Sequence, residues 1–302
     1  MRGAAGAASA RRDARRRGSA SARAAAAEVA GPRSRRCCAA VRRSGGAAMR
    51  LVGKSIVVTG GGTGIGLELA RQLVARGNRV AICGRRRAKI DAAQSAIPGL
   101  EGIACDLGAE GGVEALDEFV RSKFENIDML VNNAAVQVQT TLLDGKAGSA
   151  DLAHELMTNL GAPLRLAQLF MPMLLRRPEA AIVNMISLLG ILPKANAPGY
   201  CASKAGLYAF TRSLELALAG SRVRAIAVFP PMVETPMTHG RGTDKMPVEA
   251  FVRAMIADIE RGRRDIRVGQ ARTVLMLNRV LPGLAWWRTR RMSAGATMPL
   301  TD

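Results

Sequence analysis

Ser55-Ile56-Val57-Val58-Thr59-Gly60-Gly61-Gly62-Thr63-Gly64-Ile65-Gly66 is a β-branched apolar run that ends abruptly in glycines, after which Ile65, Leu69, Leu73 and Val74 recur at helical spacing. A strand, a tight turn and a helix therefore follow one another directly. Glycines let a backbone approach a ligand closely, and a helix N-terminus presents unpaired N–H groups and a partial positive charge. A Gly-rich stretch alone is often only a turn. Between a strand and a helix it reads as a phosphate site, with Gly60, Thr63, Gly64, Ile65 and Gly66 as its contacts.

Outward from this turn the pattern repeats. Val80-Ala81-Ile82-Cys83 ends at Gly84, and Gly102-Ile103-Ala104-Cys105-Asp106, Ile127-Asp128-Met129-Leu130-Val131, Ala181-Ile182-Val183-Asn184-Met185 and Val223-Arg224-Ala225-Ile226-Ala227-Val228 read as further buried strands with helical segments between them. Strands without polar alternation, separated by amphipathic helices, predict an α/β fold: a doubly wound parallel sheet of the Rossmann type with helices on both faces, in a single domain. Ligands bind such sheets beyond the carboxyl ends of the strands. The loops after Thr59, Cys83, Cys105, Val131, Met185 and Val228 should therefore share one rim.

At the end of the second strand an acid would bind a ribose 2′-hydroxyl. The chain has Gly84-Arg85-Arg86-Arg87 there instead. Guanidinium forks bind a 2′-phosphate, so NADP(H) is expected over NAD(H), with Arg85 and Arg86 as the contacts and Arg87 as a solvated helix start.

Tyr200-Cys201-Ala202-Ser203-Lys204 places a phenol and an ammonium four residues apart, on one face of a helix. Such pairs also arise on helix surfaces by chance. As a site, the pair makes Tyr200 a general acid/base, with the Lys204 charge expected to lower a phenol pKa that is ordinarily about 10.

Taken together, Thr59-Gly60 through Gly66, Asp106-Leu107, Asn132-Asn133-Ala134-Ala135, Asn159, Asn184-Met185-Ile186-Ser187-Leu188-Leu189-Gly190, Tyr200-x-x-x-Lys204 and Pro230-Pro231-Met232-Val233-Glu234-Thr235 resemble, in order, the motifs of the classical short-chain dehydrogenase/reductase family across 49–260. Leu51-Val52-Gly53-Lys54, Ile82-Cys83-Gly84-Arg85, Met246-Pro247-Val248-Glu249 and Ile266-Arg267-Val268-Gly269 look like its DltE-like oxidoreductase branch. The resemblance implies that a carbonyl and an alcohol are interconverted by hydride transfer. It also implies that Ser187 hydrogen-bonds the substrate oxygen, Tyr200 exchanges a proton with it, Lys204 holds the nicotinamide ribose, and Asn159 supports a proton relay through water. Asp106 and Leu107 are implied near the adenine, and Asn133, Pro230, Val233 and Thr235 near the rest of the cofactor. Ala135 stands where the family has Gly, and Pro231 where it has Gly, which leaves the position of Thr235 open. Residues 236–250 suit a substrate lid, and Gln137, Leu188, Leu189, Pro193 and His239 are candidate pocket residues. A cofactor-binding regulatory protein with little turnover is the alternative reading.

The +20 formal charge is unevenly placed. Residues 1–48 hold 12 Arg and 17 Ala against two acids, and half of the excess. They lack hydrophobic periodicity and are expected to be disordered. They read as a transit peptide, a basic arm or a stretch outside the natural product. The last is favoured, because Met49-Arg50-Leu51-Val52-Gly53-Lys54 leads straight into a strand. Cytoplasmic residence follows on that reading, and organellar residence on the first. No base-reading element accompanies the charge, so no nucleic-acid partner is expected. The five cysteines form no Cys-x-x-Cys pair and the two histidines are far apart, so neither a metal site nor a disulfide framework is indicated. A catalytic domain is expected over 49–270. In the 271–302 tail, Trp286 and Trp287 stand among arginines; packing on the domain or on another subunit of a homodimer or homotetramer is favoured over an anionic membrane surface, since Pro282-Gly283 interrupts any long helix.

Overall fold

The computed structural model describes residues 48–141 and 148–292. The basic stretch read as disordered lies, except for Ala48, outside the described residues, as do the last ten residues of the tail. The chain alternates β1 (Ser55–Thr59), α1 (Gly64–Ala75), β2 (Arg79–Gly84), α2 (Arg87–Ala96), β3 (Leu100–Ala104), α3 (Gly112–Lys123) and β4 (Met129–Asn132). It continues through α4 (Ser149–Leu156), a π turn (Met157–Gly161), α5 (Ala162–Leu175), β5 (Ala180–Met185), α6 (Pro198–Ala217) and β6 (Val223–Phe229), and ends with α7 (Val248–Glu260), β7 (Asp265–Arg267), α8 (Gln270–Val280) and α9 (Pro282–Met292).

The sheet is parallel throughout, in the order β3-β2-β1-β4-β5-β6-β7. The order reverses between β1 and β4, which opens a crevice beyond their carboxyl ends. Neighbouring residues of one strand feed opposite layers: Val58 packs with Leu69, Leu73, Phe251 and Ile256 on one face, and Val57 with Leu116, Val120, Leu166 and Phe170 on the other. Double-sided burial is why these strands carry no polar alternation. Met49 and Leu51, ahead of β1, are fully buried in the first layer.

Two expected strands are displaced and one was not foreseen. β3 begins at Leu100 and ends at Ala104, two residues earlier than the apolar run suggests. It lies at the sheet edge, so Glu101 is tolerated there and pairs with Lys123 at 3.2 Å. β4 starts after Asp128, whose buried carboxylate instead accepts from the Ser55 N–H at 2.8 Å and from Arg177 Nε at 2.6 Å. The three-residue β7 closes the opposite edge and is too short, with charges at both ends, to announce itself in sequence.

Candidate active site

The Gly-rich turn is shaped by close packing that no side chain would allow. A β-carbon on Gly66 would lie 2.3 Å from the Gly60 carbonyl oxygen, and one on Gly60 would lie 2.8 Å from Ala134 Cα, at a φ of +66° that L side chains rarely adopt. Asn133 latches the turn from β4: its Nδ2 donates to the Thr59 and Gly60 carbonyls at 2.9 and 3.2 Å, while Thr59 Oγ1 accepts from the backbone N–H groups of Asn133 and Ala134, both at 2.9 Å. Backbone N–H groups at the start of α1 are thereby left facing a cavity of about 250 Å³. Its walls include Gly60, Thr63, Gly64 and Ile65 from this turn.

At one end the wall is basic. Arg85 and Arg86 line it, are exposed, and make no ion pair among the described residues, whereas Arg87 is held by Asp91 at 2.8 Å. Lys89, from the first turn of α2, joins them. Asp106 and Leu107 line the same end, but the Asp106 carboxylate already faces His154 Nε2 at 3.1 Å and accepts from the Gly108 N–H at 3.0 Å. Beside it the Cys83 and Cys105 thiols share a hydrogen bond. This hydrogen bond drives the Cys83 thiol well above the ordinary thiol range, with burial adding to the rise, and lowers that of Cys105.

At the other end stand Tyr200 and Lys204, one turn apart on α6 and both buried. Burial pushes the phenol up to about 12, and the neighbouring Ser187 hydroxyl, through a hydrogen bond, pulls it back in part. Burial also lowers the Lys204 ammonium to about 8. Lys204 Nζ donates to the Met185 carbonyl at 2.8 Å and lies 5.7 Å from the centre of the Tyr200 ring. The expectation that the lysine charge lowers the tyrosine is corrected: loss of water around both groups outweighs a cation that is itself engaged by a backbone oxygen.

Asn159 occupies the π turn, a local insertion often found at functional sites. Its Oδ1 accepts from the Val136 N–H at 2.9 Å, and its Nδ2 donates to the Val136 carbonyl at 2.9 Å and to Ser203 Oγ at 3.1 Å. Ser203 Oγ donates in turn to the Tyr200 carbonyl at 2.8 Å. Both amide hydrogens are thus used in fixing the loop after β4 against α6. One turn earlier Glu155 is fully buried, accepting from the Val138 N–H at 3.0 Å through Oε1 and lacking a partner for Oε2 among the described residues; burial raises its carboxyl. Arg241 donates to Gln137 Oε1 at 2.6 Å and lies near enough to Tyr200 to favour the phenolate.

Residues 54–246 match the family model described as short chain dehydrogenase. The chain belongs to the short-chain dehydrogenase family. It is accordingly an NAD(P)-dependent oxidoreductase. It is 36% identical over 228 residues to the uncharacterized oxidoreductase DltE of Bacillus subtilis (strain 168), covering 72% of this chain and 89% of that one. Among solved structures it is similar to a short chain dehydrogenase from Burkholderia cenocepacia J2315 in complex with NADP, with TM-score 0.69, 25% identity, and coverage of 83% of this chain and 100% of that chain. It also shares its fold with L-sorbose reductase from Gluconobacter frateurii, complexed with NADPH and L-sorbose, at TM-score 0.65 and 24% identity over 72% of this chain and 94% of that one.

Against the motifs of this short-chain dehydrogenase, most expected contacts meet in the one cavity. Asn133, Tyr200, Lys204, Pro230 and Thr235 line it, and despite Pro231 the Thr235 side chain would sit 3.3 Å from a β-carbon on Gly64. Ala135 lines it without strain, since no described residue other than glycine takes positive φ. Gly66 and Val233 are absent from the wall: Gly66 is pressed against Gly60, and the Val233 side chain is buried in the core. His239 is exposed, and Leu189 and Pro193 line a separate groove. The stretch expected as a lid is anchored at both ends of Val233–Met246, where Met246 N–H donates to Met232 O at 2.8 Å and Glu234 N–H to Met246 O at 2.9 Å. Lys89, Glu155, Thr158 and Arg241 were missed; only Lys89, next to the arginine run, carried a local signal.

Proposed function

We propose that the protein interconverts a carbonyl and an alcohol with NADP(H), using Tyr200 as the general acid and base. One observation carries the reading: a buried phenol beside a serine hydroxyl and a lysine ends a glycine-walled cavity whose far end holds the free guanidinium groups of Arg85 and Arg86 and no acid at the β2 terminus. The glycines let the turn close tightly enough to present its backbone N–H groups to a pyrophosphate, since a β-carbon on Gly60, Gly61 or Gly66 would collide with Ala134, Ile82 or the Gly60 carbonyl.

When bound, the dinucleotide supplies or accepts the hydride. Ser187 donates a hydrogen bond to the substrate oxygen, and Tyr200 gives that oxygen its phenolic proton in reduction and takes it back in oxidation. With its phenol raised to about 12, Tyr200 is held protonated near neutrality, the form that reduction requires. Lys204 would hold the nicotinamide ribose, and Asn159 positions Tyr200 through Ser203. Arg85 and Arg86 bind the 2′-phosphate. The substrate is a small-molecule ketone, aldehyde or the matching alcohol.

NADPH deuterated at either face of nicotinamide C4, incubated with a panel of ketones and aldehydes, tests the reading. Label from one face only should appear on the carbinol carbon. Substrate turnover with no transfer from either face would overturn it.

A further inference from the structure

Residues 270–292, which form α8 and α9, contain five arginines and no acid, and Trp286 and Trp287 are the only tryptophans of the chain. The structure does not pack this segment away. Met276, Val280, Leu281, Leu284, Trp286 and Trp287 are each 48 to 68% exposed, and among the described side chains of the segment only those of Ala271, Ala285 and Thr289 are buried. On α9, Leu284 and Trp287 share a face at i,i+3, Trp286 and Arg290 at i,i+4, and the Arg291 guanidinium lies 4.5 Å above the Trp287 ring. Between α9 and the segment leading into α6 runs an apolar groove of about 1350 Å³, walled by Leu189, Ile191, Pro193, Trp286 and Trp287.

An exposed apolar strip with basic residues along it has a small set of partners. A second copy meeting this face with its own would bring arginines against arginines with no acid on either side, which costs binding. Nucleic acid would answer the arginines but leave the leucines and tryptophans without apolar cover. An anionic lipid surface answers both: tryptophans and leucines seat at the headgroup boundary, and arginines pair with the phosphates. Among the described residues no helix is long and apolar enough to cross a membrane, so the segment would lie on the surface.

We propose that α8–α9 is a peripheral docking surface for an anionic bilayer, with Leu281, Leu284, Trp286 and Trp287 in the interface and Arg279, Arg290 and Arg291 at the headgroups. The arginine-rich stretch 1–48 would attract anionic vesicles on its own, so sedimentation alone does not test this. The tryptophans do, because both sit on this surface.

The full chain is mixed with vesicles of phosphatidylcholine alone or with phosphatidylglycerol, and with the same lipids brominated on the acyl chains. Anionic vesicles should shift tryptophan emission to the blue, brominated chains should quench it, and high salt should reverse both. The Arg290→Gln/Arg291→Gln variant should need on the order of tenfold more anionic lipid for half of the shift, with NADPH binding unchanged as the check on folding. Emission unmoved while the chain sediments with vesicles would assign the contact to residues 1–48 and overturn the proposal. A blue shift that grows with protein concentration in the absence of lipid would overturn it in favour of a second copy.

Discussion

Asn133 Nδ2 donates to the Thr59 carbonyl at 2.9 Å, so the end of β4 holds the Gly-rich turn at the end of β1 in shape. Asn133→Ala leaves the Thr59 and Gly60 carbonyls without this donor, a loss of about 1–3 kcal/mol for each buried polar group left unpaired. NADPH binding, measured by fluorescence titration, should weaken by roughly tenfold or more while the far-ultraviolet circular dichroism stays unchanged. An unaltered affinity would mean that the turn keeps its shape without the latch.

Arg85 and Arg86 face the cavity without an ion-pair partner among the described residues, and Arg87 does not. Arg85→Ala and Arg86→Ala should each raise KM for NADPH by roughly tenfold or more, since hydrogen bonds to charged groups contribute about 1.5–3 kcal/mol. KM for NADH should barely move in either variant, and Arg87→Ala should alter neither value. Parallel losses with both cofactors would remove the 2′-phosphate from the account.

Lys204 sits below the ordinary lysine range, at about 8, and Tyr200 above the ordinary phenol range, at about 12. Lys204 is therefore charged below about pH 8 and neutral above it, while Tyr200 keeps its proton over the same span. Carbonyl reduction should hold level through neutrality and decline above about pH 8. Lys204→Met should lower the plateau and abolish that decline. An alkaline limb that persists in the variant belongs to another group.

Glu155 is buried with one carboxylate oxygen unpartnered among the described residues, and burial raises its carboxyl. A raised carboxyl in the folded state favours the protonated form, so its stabilising effect is present at low pH and is lost as pH rises through the folded value. Glu155→Gln keeps an oxygen for the Val138 N–H and removes the buried charge. The variant should match the parent in Tm under acid conditions and exceed it by a few degrees at neutral pH, about 1 kcal/mol. A variant less stable at neutral pH would show that the charge has a partner in the folded protein.

The legible part of the fold follows from burial on both faces of the sheet, which makes β1, β2, β5 and β6 continuous apolar runs. β7 escaped because three edge residues carry no period, and β3 was displaced because an edge strand tolerates Glu101. The Tyr200–Lys204 pair was legible because one helical turn fixes it locally. Their electrostatics were not, because desolvation is a property of the packed core. Arg241 reaches Gln137, 104 residues away, and Asp106 meets His154, 48 residues away. Neither pair follows from spacing, since segments that follow different strands bring them together. Asn133 was legible as part of a motif, but its use as a latch depends on the depth at which β4 ends beside β1.

The account rests on the phenolic hydroxyl of Tyr200. NADPH consumption over a panel of ketones and aldehydes should be compared between the protein and Tyr200→Phe, which keeps the ring and removes only the proton donor. The predicted result is a rate at least ~100-fold lower in the variant, the usual scale of general acid catalysis, with NADPH affinity unchanged. Equal rates in the two proteins would contradict it.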